Sequence, residues 1–277
     1  MKSIKTIDTL IDDVNALLDK GILEDIDLRV EKKEQGGNPS LRMSNIGTSC
    51  SRKLWYTLNQ HGHPDREQPR PEVLMKFMYG DMVEEMLLSL VEMAGHTIEA
   101  RQHEVSIEGI KGHIDCIIDG MLVDVKSAST YAFKKFKEGR LREDDPFGYY
   151  PQLMSYLYAL QEDDRVQYKD RAAFLVIDKT LGHIHLDIHE KPSWFDEMPE
   201  MYKDRISYME SLDVPDRDFK PEDDGKSGNQ KLGMYCSYCD FKKVCYPKLR
   251  TFLYSNGPRY LTRVRREPAD TVFEVKD

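Results

Sequence analysis

Apolar residues recur along the chain with two periods, and the switch between them divides it into helices and strands. In MKSIKTIDTLIDDVNALLDKG, at the start, Ile4, Ile7, Ile11, Val14 and Leu18 fall at helical spacing and predict an amphipathic helix. The segment 77–95, FMYGDMVEEMLLSLVEMAG, predicts a second helix. Residues 149–161, YYPQLMSYLYALQ, predict a third, with Pro151 near its first turn, where the missing N–H breaks no helical bond. Residues 193–212 predict another. The period then shortens to two in RAAFLVID at 171–178 and HIHLDIHE at 183–190, which KTLG joins as a hairpin. His183, His185 and His189 alternate with apolar residues there and are expected on a solvated face. The stretch 215–233 is polar and rich in Pro and Gly, and reads as an extended connection.

The most informative alternation is GHIDCIIDGMLVDVK, residues 112–126. Asp119-Gly120 is the signature of a two-residue type I′ turn, because both central positions must accept positive φ. That turn pairs Ile118 with Met121, Ile117 with Leu122, Cys116 with Val123 and Asp115 with Asp124. One face then carries His113, Asp115, Ile117, Leu122, Asp124 and Lys126. The other carries Ile114, Cys116, Ile118, Met121, Val123 and Val125, and belongs in a core. Directly opposed Cβ atoms are about 4.5–5.5 Å apart, and like charges so placed destabilise the pair unless a cation or a shared proton relieves them. A hard divalent metal does so. The plainer alternative is a solvent-facing hairpin whose aspartates pair loosely with Lys111 and Lys126.

Three further groups carry candidate chemistry. In the 77–95 helix, Glu85 shares a face with Asp81, Ser89 and Glu92, a solvated surface. Glu84 shares one with Phe77, Gly80, Leu87, Leu88 and Val91. A carboxylate in an apolar stripe needs a partner or a path to solvent, which makes Glu84 a candidate ligand. Gln152 and Tyr156 stand four apart, so an amide and a phenol reach one point. Cys236, Cys239 and Cys245 form C-x2-C-x5-C, one thiolate short of a four-ligand site. Of the remaining cysteines, Cys116 sits on the apolar hairpin face, and Cys50, in GTSCSRKLWY, is the better fourth ligand. Four such thiolates hold either structural zinc or an iron–sulfur cluster, and spacing does not choose between them.

Composition narrows the class. With 277 residues, 40% hydrophobic and 32% charged, the chain reads as a soluble globular protein without a membrane span. Reduced thiols and the absence of a signal peptide point to the cytoplasm. A net charge of −9 excludes nonspecific coating of nucleic acid by the whole surface, while leaving room for a local basic channel. FKKFKEGRLR at 133–142 and the arginines of 250–266 are locally basic, with Phe133, Phe136, Phe252, Tyr254 and Tyr260 interleaved. That pattern suits a groove that tracks phosphates and stacks bases.

Taken in order, C-S-R-K-L-W-Y at Cys50, G-x-x-x-E from Gly80 to Glu84, G-x-x-D from Gly112 to Asp115, D-x-K from Asp124 to Lys126, Q-x-x-x-Y from Gln152 to Tyr156 and the three-cysteine tail resemble the RecB-like branch of the PD-(D/E)xK nucleases. The resemblance is to its iron–sulfur members, which include CRISPR-associated exonucleases and the AddB nuclease domain. It implies an α/β fold, a mixed central sheet flanked by helices, with the four-cysteine cluster joining N- and C-terminal segments. It also implies a single nuclease domain over 1–277: a helical extension at 1–40, a core at 41–249 and a basic tail at 250–277.

The implied metal site is Glu84, Asp115, Asp124 and the Val125 carbonyl around Mg²⁺ or Mn²⁺. Many relatives carry histidine where Glu84 stands, and an all-oxygen set has less bias toward manganese. Lys126 would orient water and offset charge, and Gln152 and Tyr156 would position the DNA strand or the lysine. A [4Fe–4S] cluster, or zinc, would sit on Cys50, Cys236, Cys239 and Cys245. The function implied is a microbial or phage-encoded DNA exonuclease acting on single-stranded or free ends, in recombination, repair or CRISPR-like adaptation and alongside the proteins of those processes. The alternatives are a nuclease-fold DNA-binding partner that cuts little and a zinc-stabilised adaptor, which leaves the opposed aspartates without a role.

Overall fold

The computed structural model describes residues 5–19, 40–60, 62–67, 71–210 and 213–275, without the side chains of 71–74. Ile4 of the first predicted helix lies outside them. The described residues within Met1–Gly37, Leu41–Gly47 and Pro71–Ile206 form one compact unit, and those within Asn38–Ser40, Thr48–Arg70 and Ser207–Asp277 form another. No helix among the described residues is long and apolar enough to cross a membrane.

In chain order the helices are α1 (Leu10–Asp19), α2 (Met43–Ile46), α3 (Ser51–Asn59), α4 (Pro71–Met93), α5 (Thr130–Lys137), α6 (Tyr149–Ala159), α7 (Met198–Met209), α8 (Met234–Ser237) and α9 (Lys242–Cys245). The strands of the first unit are β1 (Ile98–Glu99), β2 (Glu104–Ile107), β3 (Ile110–His113), β4 (Cys116–Ile118), β5 (Met121–Ala128), β6 (Arg171–Asp178) and β7 (Ile184–Glu190). Its main sheet runs β1-β4-β5-β6-β7, and β2 and β3 pair separately.

The β4–β5 hairpin has the register expected from the turn, Cys116 with Val123 through Ile118 with Met121. Asp119 at φ 48° and Gly120 at φ 81° both sit in the left-handed region that a type I′ turn requires. β5 and β6 are parallel, which demands a long crossover, and α5 and α6 supply it. The sheet is therefore mixed. One face packs Ile117, Leu122, Phe174 and Val176 against Phe133, Phe136, Leu153 and Leu157 of α5 and α6. The other packs Cys116, Ile118, Met121, Val123 and Leu175 against Ile7, Leu10, Val14, Leu87, Leu88 and Val91. Helices cover both faces, the layered α/β arrangement.

Two readings of the strands change here. Residues 112–118 are not one continuous strand: β3 ends at His113, β4 begins at Cys116, and Ile114 joins the core of Ile117 and Leu122, not that of Cys116. At the break, the Ile114 N–H donates to His103 O at 3.0 Å and the Gln102 N–H to Asp115 O at 3.1 Å, so the neighbouring turn takes over the ladder's hydrogen bonds. On β7, His189 is buried, not solvated. It lies against Tyr150 and Phe174 and meets Asp187 at 2.8 Å, because the crossover helices cover that face too.

The second unit holds α3, α8, α9 and a five-stranded antiparallel sheet that the hydrophobic pattern did not reveal. Its strands are β8 (Glu222–Asp223), β9 (Gln230–Lys231), β10 (Arg250–Tyr254), β11 (Gly257–Arg263) and β12 (Phe273–Val275), in the order β12-β10-β11-β9-β8. The residues read as a basic tail thus form strands, and the connection 215–233 contributes two more. Arg250 pairs with Glu267 at 2.8 Å and Glu274 at 2.6 Å, and Arg259 with Asp224 at 2.8 Å. Acidic residues distant in sequence balance the arginines, and Phe252 is buried. In the first unit, Phe133 and Phe136 are core residues and Lys135 is turned inward onto Asp144. The interleaved aromatics there are packing residues, and only Lys134 and Lys137 of the lysine run face solvent.

Candidate active site

The site begins at the middle of β5. Asp124 is buried and forms an ion pair with Lys126, two residues along on the same face. The Lys126 ammonium also lies 5.1 Å from the centre of the Tyr149 ring. Burial works against its charge, but the Asp124 and Asp115 carboxylates outweigh that and hold its pKa well above the ordinary lysine value. Asp115 is anchored from β5 itself, its Oδ2 accepting the Val125 N–H at 2.7 Å. The two aspartates that the hairpin register opposes are therefore tied to one short stretch of strand.

From above, α6 supplies Gln152 and Tyr156, one turn apart, with the Gln152 amide donating to the Tyr156 hydroxyl at 2.8 Å. Burial, assisted by Asp124 and Asp115, pushes the Tyr156 phenol up to about 12, so it stays protonated as a donor. Gly112 makes this approach possible. A Cβ there would lie 2.7 Å from the Tyr156 ring and 2.8 Å from the Met43 side chain. The glycine of the G-x-x-D motif is thus a packing requirement.

Glu84 reaches the same neighbourhood from α4. Its Oε1 accepts from the Gln102 amide at 2.7 Å, and the Gln102 backbone N–H in turn holds the Asp115 carbonyl. Glu85 turns the other way and pairs with Arg101 at 3.2 Å, as Glu92 does at 2.9 Å. The helical phasing therefore separates the two glutamates as expected, with Leu87, Leu88 and Val91 buried, although Phe77 is exposed. After burial itself, Asp115, Glu84 and Asp124 all act to raise the Cys116 thiol pKa, so three carboxylates gather around one point of the fold. Gln102 and Tyr149 were not singled out by the sequence. Gln102 sits in an irregular turn at φ 51°, which no periodicity marks, and Tyr149 looks like any helical aromatic.

Three carboxylates about one ammonium leave an excess of negative charge and an oxygen donor set, the chemistry that a hard divalent ion takes. Their placement is less complete than their chemistry. Among the described residues no group of three or more His, Cys, Asp or Glu is arranged to hold a metal ion, and Asp124 is engaged by Lys126 instead.

The second unit brings Cys50, Cys236, Cys239 and Cys245 to the wall of one cavity of about 30 Å³. Cys50 caps α3, its Sγ accepting the Lys53 N–H at 3.3 Å, and the other three come from α8, the turn after it and α9. Tyr56, Phe219, Tyr235, Phe241 and Tyr246 enclose the space, with Arg52, Lys53 and Lys242 also lining it. Burial, with Cys50 and Cys245 adding to it, pushes the Cys236 thiol up to about 11. Burial and Cys50 push Cys239 up to about 12. Each thiol feels the others as developing negative charge, and that repulsion is what a bound cation relieves. The space between them exceeds the ~10–15 Å³ a single water needs. Cys116 is absent from this wall. It is fully buried in the first unit, with Sγ 3.7 Å from Val123 O.

The model of the PD-(D/E)XK nuclease superfamily matches residues 49–246. No curated protein matches the chain. Among solved structures, one titled "Crystal structure of SSO0001" is similar at 14% identity and a TM-score of 0.40, over 84% of this chain and 94% of that one.

Proposed function

The chain belongs to the PD-(D/E)XK nuclease superfamily, and from that premise we propose that it is a metal-dependent DNA exonuclease of the RecB-like iron–sulfur type, acting on single-stranded ends. The observation that carries the catalytic part is the Asp124–Lys126 pair beside Asp115, under the Gln152–Tyr156 bond. Glu84, Asp115, Asp124 and the Val125 carbonyl are the groups to hold Mg²⁺ or Mn²⁺, which supplies Lewis acidity and a nucleophilic water at neutral pH. The protein's own part is to bring charge and donors to the phosphate. Lys126, kept protonated by two carboxylates, offsets charge growing on the phosphate oxygens. Tyr156 and Gln152 offer neutral donors that orient the strand or the lysine. Buried packing of all these groups against the sheet limits their movement during the reaction.

The thiol cavity is the proposed seat of a [4Fe–4S] cluster. Thiols that line a cavity without converging as ligands for one ion suit a polynuclear cluster better than a single zinc, whose Zn–S bonds are about 2.3 Å. The alternative, a DNA-binding partner that cuts little, is favoured by Lys126 engaging Asp124. A labelled-end assay on linear and circular single strands, with Mg²⁺ or Mn²⁺ and then with chelator, decides between them. Metal-dependent release of nucleotides from linear strands alone is the expected result, and binding without release would establish the alternative.

Two smaller predictions follow from the geometry. Glu84→Gln should raise the metal concentration needed for half-maximal cleavage about tenfold or more, by analogy with losses at metal sites. Glu85→Gln, which removes only a surface partner of Arg101, should leave that titration unchanged, and the reverse result would place Glu85 at the metal. Lys134→Ala with Lys137→Ala should weaken single-strand binding and flatten its dependence on salt, the log–log slope falling by about 0.7 for each phosphate left unneutralised. Lys135→Ala, whose ammonium is held by Asp144, should leave the salt slope as it is.

A further inference from the structure

An exposed aromatic ring stands close to the Asp124–Lys126 pair, and the inference drawn from it rests on the nuclease reading above. Phe147, in the loop before α6, is 51% exposed. Its ring lies 5.5 Å from that of Tyr149, and Tyr149 is the ring beneath the Lys126 ammonium. Tyr149 therefore connects an open aromatic face to the lysine proposed to act on the phosphate.

The loop that presents this ring is fixed. The Asp145 carboxylate accepts the N–H of Tyr149 at 3.0 Å and of Tyr150 at 2.8 Å, which caps α6. Gly148 follows Phe147 at φ 71°, a conformation that favours glycine, and a Cβ there would come within 2.9 Å of Gly47 O. On the near side, Asp144 is held by Lys135. Phe147 is thus kept facing outward by backbone that has little freedom to fold the ring away.

Such a ring discriminates between forms of DNA. In a duplex the π-face of each base is covered by its neighbours, whereas an unpaired base has a face to offer, and stacking it on an aromatic side chain is worth ~1–3 kcal/mol whatever its identity. We propose that Phe147, seated on Tyr149, is the stacking platform for an unpaired base beside the scissile phosphate, and that it selects single-stranded over duplex ends.

The experiment uses the full chain with Phe147→Ala, Phe147→Leu and Phe147→Trp. Dissociation constants for a labelled single strand and a blunt duplex are read by fluorescence anisotropy, and KM and kcat by end release. Phe147→Ala should weaken single-strand binding and raise KM by ~5- to 100-fold while kcat is retained and duplex affinity is unmoved. Phe147→Trp should bind as the wild type does, and Phe147→Leu should not. A strand made abasic at one position near the cut should lose the same factor with the wild type and nothing further with Phe147→Ala. The platform is overturned by a Phe147→Leu variant with wild-type affinity, by equal weakening for single strand and duplex, or by the absence of any such abasic position. A wild type that neither binds nor cuts DNA overturns the nuclease reading itself, and the platform with it. Intact cutting with any of the three preceding results overturns the platform alone.

Discussion

Asp124→Asn and Lys126→Met will each abolish cleavage, and combining them will restore stability without restoring activity. Either single change leaves one charge of a largely buried pair without its partner, which costs on the order of 3 kcal/mol. The double variant removes both charges, and replacing a buried ion pair by neutral groups of similar size is often close to neutral for folding. Its melting temperature should therefore return toward that of the wild type. Catalysis should not return, because the phosphate still lacks the lysine charge and any metal still lacks a ligand, each a loss of at least ~10²-fold. Denaturant melts and end-release rates of the four proteins check this. A double variant that recovers activity along with stability would show that the pair is only structural, and the catalytic assignment would be wrong.

That test matters because the hairpin was legible from the sequence, whereas its surroundings were not. Asp-Gly between apolar runs fixes the turn type, and the turn fixes the register to the residue. Phase along α4 separates Glu84 from Glu85 for a similar reason, since a stripe of Leu87, Leu88 and Val91 has only one way to face a core. What periodicity cannot see is a neighbour that arrives from far along the chain. The face of Ile117, Leu122 and Asp124 looked half solvated because nothing in residues 112–126 announces that α6 will lie across it. His189 was misjudged on the same ground.

The second sheet escaped because β8 and β9 are two residues each, shorter than any alternation. Arg250 and Arg259 looked like a basic surface for a related reason. Glu267 and Glu274 lie beyond the basic run, and Asp224 lies before it. Spacing finds chemistry that one segment carries whole, such as C-x2-C-x5-C, and misses chemistry assembled across segments, such as Gln102 between Glu84 and Asp115.

Cys50→Ser, Cys236→Ser, Cys239→Ser and Cys245→Ser should each lose the brown chromophore of anaerobically prepared protein and unfold the second unit. Its buried apolar side chains are few, chiefly Leu54, Trp55, Tyr56, Met209, Leu232, Phe241, Phe252 and Leu261. A core of that size supplies only a few kcal/mol, so small units of this kind lean on a metal or cross-links. Metal bound to four thiolates of a folded site contributes its binding free energy to folding, ~10–16 kcal/mol for structural zinc, which exceeds what such a core can replace. The first unit, with two larger cores of its own, should stay folded. Limited proteolysis should then cut within 48–67 and 207–275 while 71–206 resists. Cys116→Ser changes a thiol in the first unit and should keep both the chromophore and the protease pattern. A colourless wild type with one zinc per chain would replace the cluster by zinc and keep the four ligands. Loss of metal in Cys116→Ser, together with its retention in Cys50→Ser, would exchange the fourth ligand, and the thiol cavity would then not be what holds the two segments of the second unit together.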